Sequence, residues 1–174
     1  MREKLLEVKD LYVQYNTDDA VVHALNGMSL TVDKGEVVGL VGETGAGKST
    51  LALSILKLLP DKVGQITSGS IHYDDIDIIA AGKREMQKLR GARISMIFQD
   101  PMTSLNPIIS VGDQIQEVLD LHYPDMPKEE KEKRVDEILG LVGIQASRKN
   151  EFPHQFSGGM KQRIGIAMAL IAEP

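Results

Sequence analysis

The residues best suited to chemistry form one short segment, GETGAGKS, at positions 42–49. This segment matches the pattern G-x-x-x-x-G-K-[ST], which marks a loop that wraps phosphate groups. Lys48 would reach the β- and γ-phosphates of a nucleoside triphosphate as a point charge, and the Ser49 hydroxyl would ligate the accompanying Mg²⁺. The predicted chemistry is therefore the binding of a nucleoside triphosphate together with Mg²⁺.

The elements on either side of this loop must present it to the phosphates. Residues 37–41, VVGLV, are predicted to form a short buried strand, and residues 49–59 a helix. The three glycines of the loop allow positive φ, so backbone N–H groups and the positive end of the helix dipole face one anion. A glycine-rich turn that only caps a helix is the simpler alternative, which the flanking strand and helix disfavour. The predicted cofactor-binding residues are Gly42, Glu43, Thr44, Gly45, Ala46, Gly47, Lys48, Ser49 and Thr50.

A polar position at the end of another apolar segment is a second candidate. Residues 93–98, RISMIF, are predicted to form a buried strand that stops before Pro101, since proline cannot continue a central strand. The carboxyl end of a core strand is where α/β proteins place ligand-facing groups. Gln99 is therefore a candidate site residue, and Asp100 beside it is an alternative carboxylate.

The third candidate is the start of the last helix, FSGGMKQR. Ser157 is a natural N-cap. Gly158 and Gly159 destabilise a first helical turn unless something must approach the backbone closely, and a helix N-terminus binds phosphate readily. Taken alone, the pattern favours plain capping over phosphate binding. The predicted inner face of this helix carries Met160, Ile164, Ala167, Met168 and Ile171.

The N-terminal part of the chain is predicted to be an antiparallel β-layer. Residues 6–13 alternate loosely as a strand does, and Asn26-Gly27 is a strong signal for a two-residue hairpin between apolar segments. Tyr15 follows the first strand, where its ring would either pack against its neighbours or stack on an adenine base. Both interpretations stay open from the spacing alone.

Residues 61–70 are predicted to be a loop, residues 70–73 a short strand and residues 83–90 a short charged helix, and most of the remaining chain is predicted to be helical. Ser110 resembles the start of a capping box. The mixed charges of residues 128–134 are interpreted as the solvated face of a helix that stops at Gly143. The predicted inner face of the helix after Ser110 carries Ile115, Val118, Leu119 and Leu121.

The composition favours one globular domain in a reducing, cytosolic setting. The chain has 174 residues, 42% of them apolar, which is enough for a sizeable core, and it has no cysteine for disulfides or a thiolate metal site. No apolar run approaches membrane-spanning length, so any membrane role is predicted to be peripheral. The net charge of −5 argues against a nucleic-acid partner, and the four histidines show no metal-ligand spacing.

The order of these motifs resembles the ATP-binding subunits of ABC transporters over almost the whole chain. Two segments are particularly similar to the ATPases of dipeptide, oligopeptide and nickel importers: QDPMTSLNP at residues 99–107 and PHQFSGGM at residues 153–160. Met160 stands where the wider superfamily has Gln, as is common in this branch. The resemblance implies an α/β fold of the P-loop NTPase, ABC type, with an antiparallel β-layer, an incomplete RecA-like parallel core and a helical subdomain.

The resemblance also implies a role for each candidate. Tyr15 would stack on adenine, and Gln99 would contact Mg²⁺ and position the attacking water. Ser157, Gly158 and Gly159 would bind the γ-phosphate of the ATP held by the opposite subunit. The implied cofactors are ATP and Mg²⁺, with Ser49 and Gln99 as metal ligands.

The same resemblance implies a division of the chain and a set of partners. Residues 1–111 would form the β-layer and nucleotide-binding core, residues 112–156 the helical subdomain, and residues 157–174 the signature motif and helix. The partners would be a second nucleotide-binding subunit, arranged head to tail, and transmembrane permease subunits, with no nucleic acid. The chain would lie in the cytoplasm, peripheral on the inner face of the cell membrane, and support import of peptides or a related small solute, nickel included.

Catalysis is expected to be incomplete in these 174 residues. Family members continue into an apolar strand ending in Asp-Glu and then a switch His, which this sequence does not contain. Without that Asp and Glu, a carboxylate for Mg²⁺ and a group that polarises water are missing. The chain by itself is therefore predicted to be inactive or nearly so, with apolar sheet edges exposed. Asp100 stays an alternative Mg²⁺ partner, although its position fits a glutamine loop better.

Two other functions use the same nucleotide chemistry. A soluble ABC-type ATPase acting on DNA or ribosomes is one alternative, but such DNA-repair relatives insert long coiled coils, and no heptad tract is present. A non-catalytic nucleotide-binding fragment is the other, and it would bind Mg-ATP without turnover.

Overall fold

The computed structural model describes residues 3–100 and 104–174, and these form an α/β fold. The chain divides into two compact units, Met1–Met86 and Gln87–Pro174. The division into residues 1–111, 112–156 and 157–174 stays a prediction.

The first unit is built on a four-stranded antiparallel sheet with the order β2-β1-β3-β4. The strands are β1 (Lys4–Asn16), β2 (Val21–Asp33), β3 (Gly64–Tyr73) and β4 (Ile76–Asp77). Val8, Leu11 and Val13 of β1 are buried because one face of the sheet packs inward, and the predicted alternation breaks between Val8 and Leu11, where the register shifts. The buried apolar side chains of this unit include Val8, Leu11, Val13, Leu25, Leu51, Ile71 and Ile78.

The predicted hairpin at Asn26-Gly27 is wrong, since β2 runs through these residues without a break. The turn between β1 and β2 lies at residues 17–20 instead, where Thr17 N donates to Ala20 O at 2.9 Å. Gly27 has φ +76° and sits where the register of β1 and β2 shifts, opposite Tyr12. A Cβ at Gly27 would be 3.0 Å from Tyr12 Oη, so this glycine serves a β-bulge rather than a turn.

The predicted loop at residues 61–70 is wrong from Gly64 onward, because β3 begins there, and the strand predicted at residues 70–73 is confirmed as the end of β3. Pairing with β1, for example Ile66 with Val13, extends the strand through polar residues whose own propensity favours a loop. The helix predicted after the phosphate loop is confirmed but shorter: α1 spans Lys48–Ile55.

The two apolar segments predicted to be buried strands are not strands. Val37 and Val41 are 98% and 91% exposed, and Ile97 and Phe98 are 50% and 48% exposed. A strand of a parallel core exists only through hydrogen bonds to its neighbours, and the four paired strands of the described residues include neither segment. The expected burial of these two segments is therefore wrong, and the expected exposure of apolar edges of a parallel core stays a prediction.

The second unit is helical. It contains α3 (Val111–His122), α4 (Lys128–Leu141) and α5 (Gly158–Leu170). The short charged helix predicted at residues 83–90 is confirmed as α2 (Lys83–Leu89), which spans the boundary between the units. Two short 3₁₀ helices, Ala146–Arg148 and Pro153–Gln155, connect α4 to α5. One apolar core joins the three long helices through Leu105, Val111, Ile115, Leu119, Val135, Leu139, Ile144, Phe156, Ile164, Ala167 and Ile171.

The helix boundaries of this unit follow the predicted signals. The Ser110 hydroxyl accepts from Asp113 N, which confirms the cap, and Gly143 ends α4 with φ +72°. The inner face of α3 is wrong at one position, since Leu121 is 73% exposed. The solvated charge run of α4 is wrong at Lys131, which is buried and pairs with Asp120 of α3 at 2.8 Å.

Pro101, Met102 and Thr103, which belong to the predicted strand stop and to QDPMTSLNP, lie outside the described residues. No helix in the described parts of the chain is both long and apolar enough to cross a membrane.

Acid should weaken the β-layer through Glu7 on β1. The ammonium groups of Lys4 and Lys9 bond to this carboxylate and lower its pKa to about 2 from 4.5. Because the folded-state pKa is the lower one, the stabilisation is present above the unfolded pKa and is lost as pH falls toward the folded value. Urea unfolding should therefore separate wild type from Glu7→Gln at neutral pH, and the gap should close as pH falls from 4.5 toward 2. A gap that stays constant over this range would contradict the assignment.

Candidate nucleotide-binding site

Residues 42–49 form a compact loop that leads directly into α1. Gly45 and Gly47 have φ of +86° and +85°, in the left-handed region that only glycine adopts freely. Gly47 is the residue that precedes α1, and no side chain caps this helix end. The backbone N–H groups of the first turn are therefore open to an external acceptor.

Lys48 folds back over the loop. Its Nζ donates to Gly42 O at 2.7 Å and to Glu43 O at 2.6 Å. Neutral carbonyls hold an ammonium less strongly than a phosphate does, so a phosphate would be the better partner. The prediction of a positive φ is wrong for Gly42, whose backbone is outside the left-handed region. Gly42 gives room instead, because a Cβ there would lie 3.3 Å from Ala46 Cβ and 4.0 Å from Lys48 Nζ.

The loop also packs against the β-layer. A Cβ at Gly47 would be 2.6 Å from Ala24 O and 2.7 Å from Leu25 Cδ2, both on β2. The first of these is a backbone atom that cannot rotate away. The position of the loop is therefore set by strand β2 as well as by its own conformation.

Tyr15, Ser49 and Thr50 lie at the same end of the first unit. Tyr15 Oη donates to Thr50 Oγ1 at 3.2 Å, which holds the half-buried ring beside the first turn of α1. A Cβ at Gly64 would lie 3.2 Å from Tyr15 Cε1, so the ring also packs on β3. Ser49 is exposed, whereas Thr50 is buried. The structure thus brings Tyr15 to the phosphate loop, and its stacking on adenine stays a prediction.

Gln99 and Asp100 belong to the second unit. Both side chains are exposed and follow a segment without regular structure. Among residues 3–100 and 104–174, no group of three or more His, Asp or Glu side chains is arranged to hold a metal ion. The roles of Gln99 and Asp100 toward Mg²⁺ stay predictions.

The SGG segment forms the N-terminus of α5. The Ser157 hydroxyl accepts from Met160 N at a long 3.4 Å, and Gly158 and Gly159 are exposed. A Cβ at either glycine would meet no atom within 4 Å, so packing inside the chain does not require glycine here. The predicted inner face of α5 is confirmed, with Ile164 and Ala167 fully buried.

The sequence model of the ABC transporter family matches residues 25–174, which include the phosphate loop, Gln99 and the SGG segment. The chain belongs to the ABC transporter family. Among curated proteins, this ABC chain is 49% identical to the oligopeptide transport ATP-binding protein OppD of Bacillus subtilis, covering 98% of the chain and 48% of OppD. It is 48% identical to the dipeptide transport ATP-binding protein DppD of the same organism, covering 99% of the chain and 52% of DppD. The ABC chain therefore spans about half the length of these relatives.

Solved ABC cassettes share the fold. The dimeric structure of the ATP-binding cassette MJ0796 in a post-hydrolysis state, bound to ADP and Pi, superposes with a TM-score of 0.87 at 29% identity. It covers 98% of this ABC chain and 71% of the MJ0796 chain. The cassette cbiO1 of Clostridium perfringens gives a TM-score of 0.76 at 33% identity, with 99% and 63% covered. The predicted family and fold class are thereby confirmed.

Two polar residues of this ABC chain, Gln114 and Arg148, make structural contacts that the sequence did not predict. Gln114 is buried on α3, and its amide bonds to Asn106 N, Asn106 O and Ile109 O, pinning the loop before the helix. The sequence feature that indicates this role is the position of Gln114, a polar residue on the otherwise apolar helix face between Val111 and Ile115. Arg148 lies on the first 3₁₀ helix and contacts the residues on both sides of SGG. Its signal in the sequence is Glu151, three positions later, which is the spacing of an ion pair.

Proposed function

We propose that this chain is the nucleotide-binding portion of an ABC importer subunit that takes up peptides. One observation carries the nucleotide part of the proposal: Lys48 Nζ lies 2.7 Å from Gly42 O, at a loop whose Gly45 and Gly47 are left-handed and which opens into a helix. This arrangement offers several N–H donors and one cation to a single polyanion. The ABC family binds ATP, and ATP is the proposed ligand of this loop.

The residues present fit Mg-ATP. The space at Gly42, where a Cβ would lie a tight 3.3 Å from Ala46 Cβ, suits an approaching phosphate. Ser49 has an exposed hydroxyl in the first helical turn and Gln99 an exposed amide oxygen, which are the hard oxygen donors that Mg²⁺ prefers. When bound, Mg-ATP supplies the phosphoanhydride bond whose hydrolysis drives transport. The proposed roles of the protein are charge neutralisation by Lys48, base stacking by Tyr15 and water positioning by Gln99.

A second nucleotide-binding subunit is the proposed partner of the exposed SGG segment. Ser157, Gly158 and Gly159 would donate to the γ-phosphate held by that subunit, because their helix N-terminus is open and no side chain shields it. The dimeric cassettes of MJ0796 support this arrangement. Permease subunits in the membrane are the further proposed partners, and they would hold the chain at the inner face of the cell membrane.

Mg-ATP binding by the purified chain is the test of the nucleotide part, with Lys48→Ala as the variant. Removing one charge-assisted contact of this kind should weaken binding about 30- to 100-fold. Lys128→Ala is the matched control, because Lys128 is an exposed lysine on α4. Wild type and this control should bind alike in fluorescence titrations with a labelled ATP. Equal affinity of wild type and Lys48→Ala would overturn the proposed role of the loop.

Steady-state hydrolysis tests the catalytic part of the proposal. We expect binding without measurable turnover, because no carboxylate of the described chain is assigned to polarise water. Turnover that rises with protein concentration and disappears in Lys48→Ala would instead indicate Asp100 as the acid that holds the metal.

The peptide-import part rests on the names of the relatives, OppD and DppD. Proteoliposomes with the complete transporter, loaded with ATP, should accumulate a labelled dipeptide or oligopeptide in a Lys48-dependent manner. Nickel uptake without peptide uptake would correct the substrate but leave the ATPase role intact.

A further inference from the structure

We propose that Arg148 is a positioning residue for the SGG segment, holding the N-terminus of α5 in its phosphate-binding shape before a partner arrives. This inference rests on the proposed function, since SGG must act on a nucleotide held by another subunit. Arg148 lies outside the SGG motif and outside the phosphate loop, which belongs to the first unit.

The first turn of α5 needs external support. Glycine favours a helix less than alanine does, and the two glycines that begin this helix are both exposed. The cap bond from Met160 N to Ser157 Oγ is long, at 3.4 Å. A site that must present its backbone to a phosphate therefore has little intrinsic order.

Arg148 supplies contacts on both sides of this turn. Its guanidinium lies over the ring of buried Phe156, with Cζ 4.3 Å from the ring centroid. One nitrogen donates to Gln155 O at 3.1 Å, and another lies 3.6 Å from Met160 Sδ. The residues immediately before Ser157 and immediately after Gly159 are thus held by one rigid planar group.

The guanidinium is itself fixed. Its Nε and Nη2 donate to the Glu151 carboxylate at 3.0 and 2.6 Å, a bidentate pair. Arg148 in turn lowers the pKa of the Glu151 carboxyl, mainly through these hydrogen bonds. Glu151 O accepts from Val111 N at the start of α3, so the pair is tied to the core of the helical unit. Lysine has neither the planar face nor the fork that these contacts use.

The test compares Arg148→Met and Arg148→Lys with Arg134→Met in the full chain. Arg134 is a matched control because it also contacts an aromatic ring and a carboxylate in the helical unit. Its Cζ lies 5.9 Å from the centroid of the Tyr123 ring, and its guanidinium pairs with Glu130. Hydrogen exchange of the amides of residues 157–161 should become about 10-fold faster in Arg148→Met, with Arg148→Lys between it and wild type and Arg134→Met unchanged. Exchange that is unchanged in Arg148→Met would overturn the inference.

ATP-driven association, measured by sedimentation with Mg-ATP, distinguishes a positioning role of Arg148 from a purely structural one. Arg148→Met should associate about 10-fold more weakly than wild type, while the affinity of each chain for labelled ATP stays within about 2-fold. Faster exchange with wild-type association would overturn the positioning role. If wild type binds ATP but does not associate, the positioning role is also overturned, while the proposed role of the phosphate loop still stands. If wild type binds no ATP, the proposed function itself is overturned.

Discussion

Replacing Gly47 with alanine is expected to lower the free energy of unfolding of the first unit by about 2–4 kcal/mol and to reduce ATP affinity at least about 10-fold. Two effects add. The residue has φ +85°, where a Cβ is strained, and that Cβ would also lie 2.6 Å from Ala24 O of β2. The strand or the loop must move, and a shift of the loop misplaces Lys48 and the N–H groups of α1.

Gly45→Ala separates the two effects. Gly45 has nearly the same φ, +86°, but an added Cβ meets no atom within 4 Å. Only the conformational strain remains, about 1–2 kcal/mol. Urea unfolding and fluorescence titration of both variants measure the difference. Equal losses in the two variants would mean that the contact with β2 does not position the loop.

Gly159→Ala is expected to have opposite effects on stability and on association. Alanine favours a helix more than glycine does, and a Cβ added at position 159 meets no atom within 4 Å. The free energy of unfolding, measured by thermal unfolding, should therefore rise by about 0.5–1 kcal/mol. In the proposed dimer, the same methyl group would stand where the partner's phosphate approaches the helix N-terminus. ATP-driven association should therefore weaken at least about 10-fold.

Gly165→Ala is the control for this second prediction. Gly165 lies in the middle of α5, and a Cβ there also meets nothing within 4 Å. It should gain a similar helix stability without loss of association. If both alanines left association unchanged, glycine at position 159 would have no role at a subunit seam.

Local signals were sufficient where the chain supplies its own partners. The left-handed φ of Gly45 and Gly47, the Ser110 and Ser157 caps and the buried face of α5 follow from residue type and spacing, because each depends mainly on atoms close by in the sequence.

The failures share a non-local cause. Asn26-Gly27 has the chemistry of a turn, but pairing of β2 with β1 along its whole length makes it a bulge. Residues 37–41 have the composition of a buried strand, yet burial depends on neighbours that the described sheet does not provide. Lys131 is buried because Asp120, on another helix, lies opposite it. The Arg148 contacts likewise depend on how two short 3₁₀ helices fold back toward α5.

The exposed valines and aromatic ring outside the β-layer have a practical consequence for handling the purified protein. Val37, Val41 and Phe98 carry exposed, β-prone, apolar side chains and lie outside the four paired strands of the described residues, which is the pattern that nucleates intermolecular strand pairing. Colloidal stability should therefore fall as concentration rises, whether or not nucleotide is present. Any sedimentation experiment on this chain must subtract that background at matched concentration, and only the increment caused by Mg-ATP reports on the seam between two cassettes.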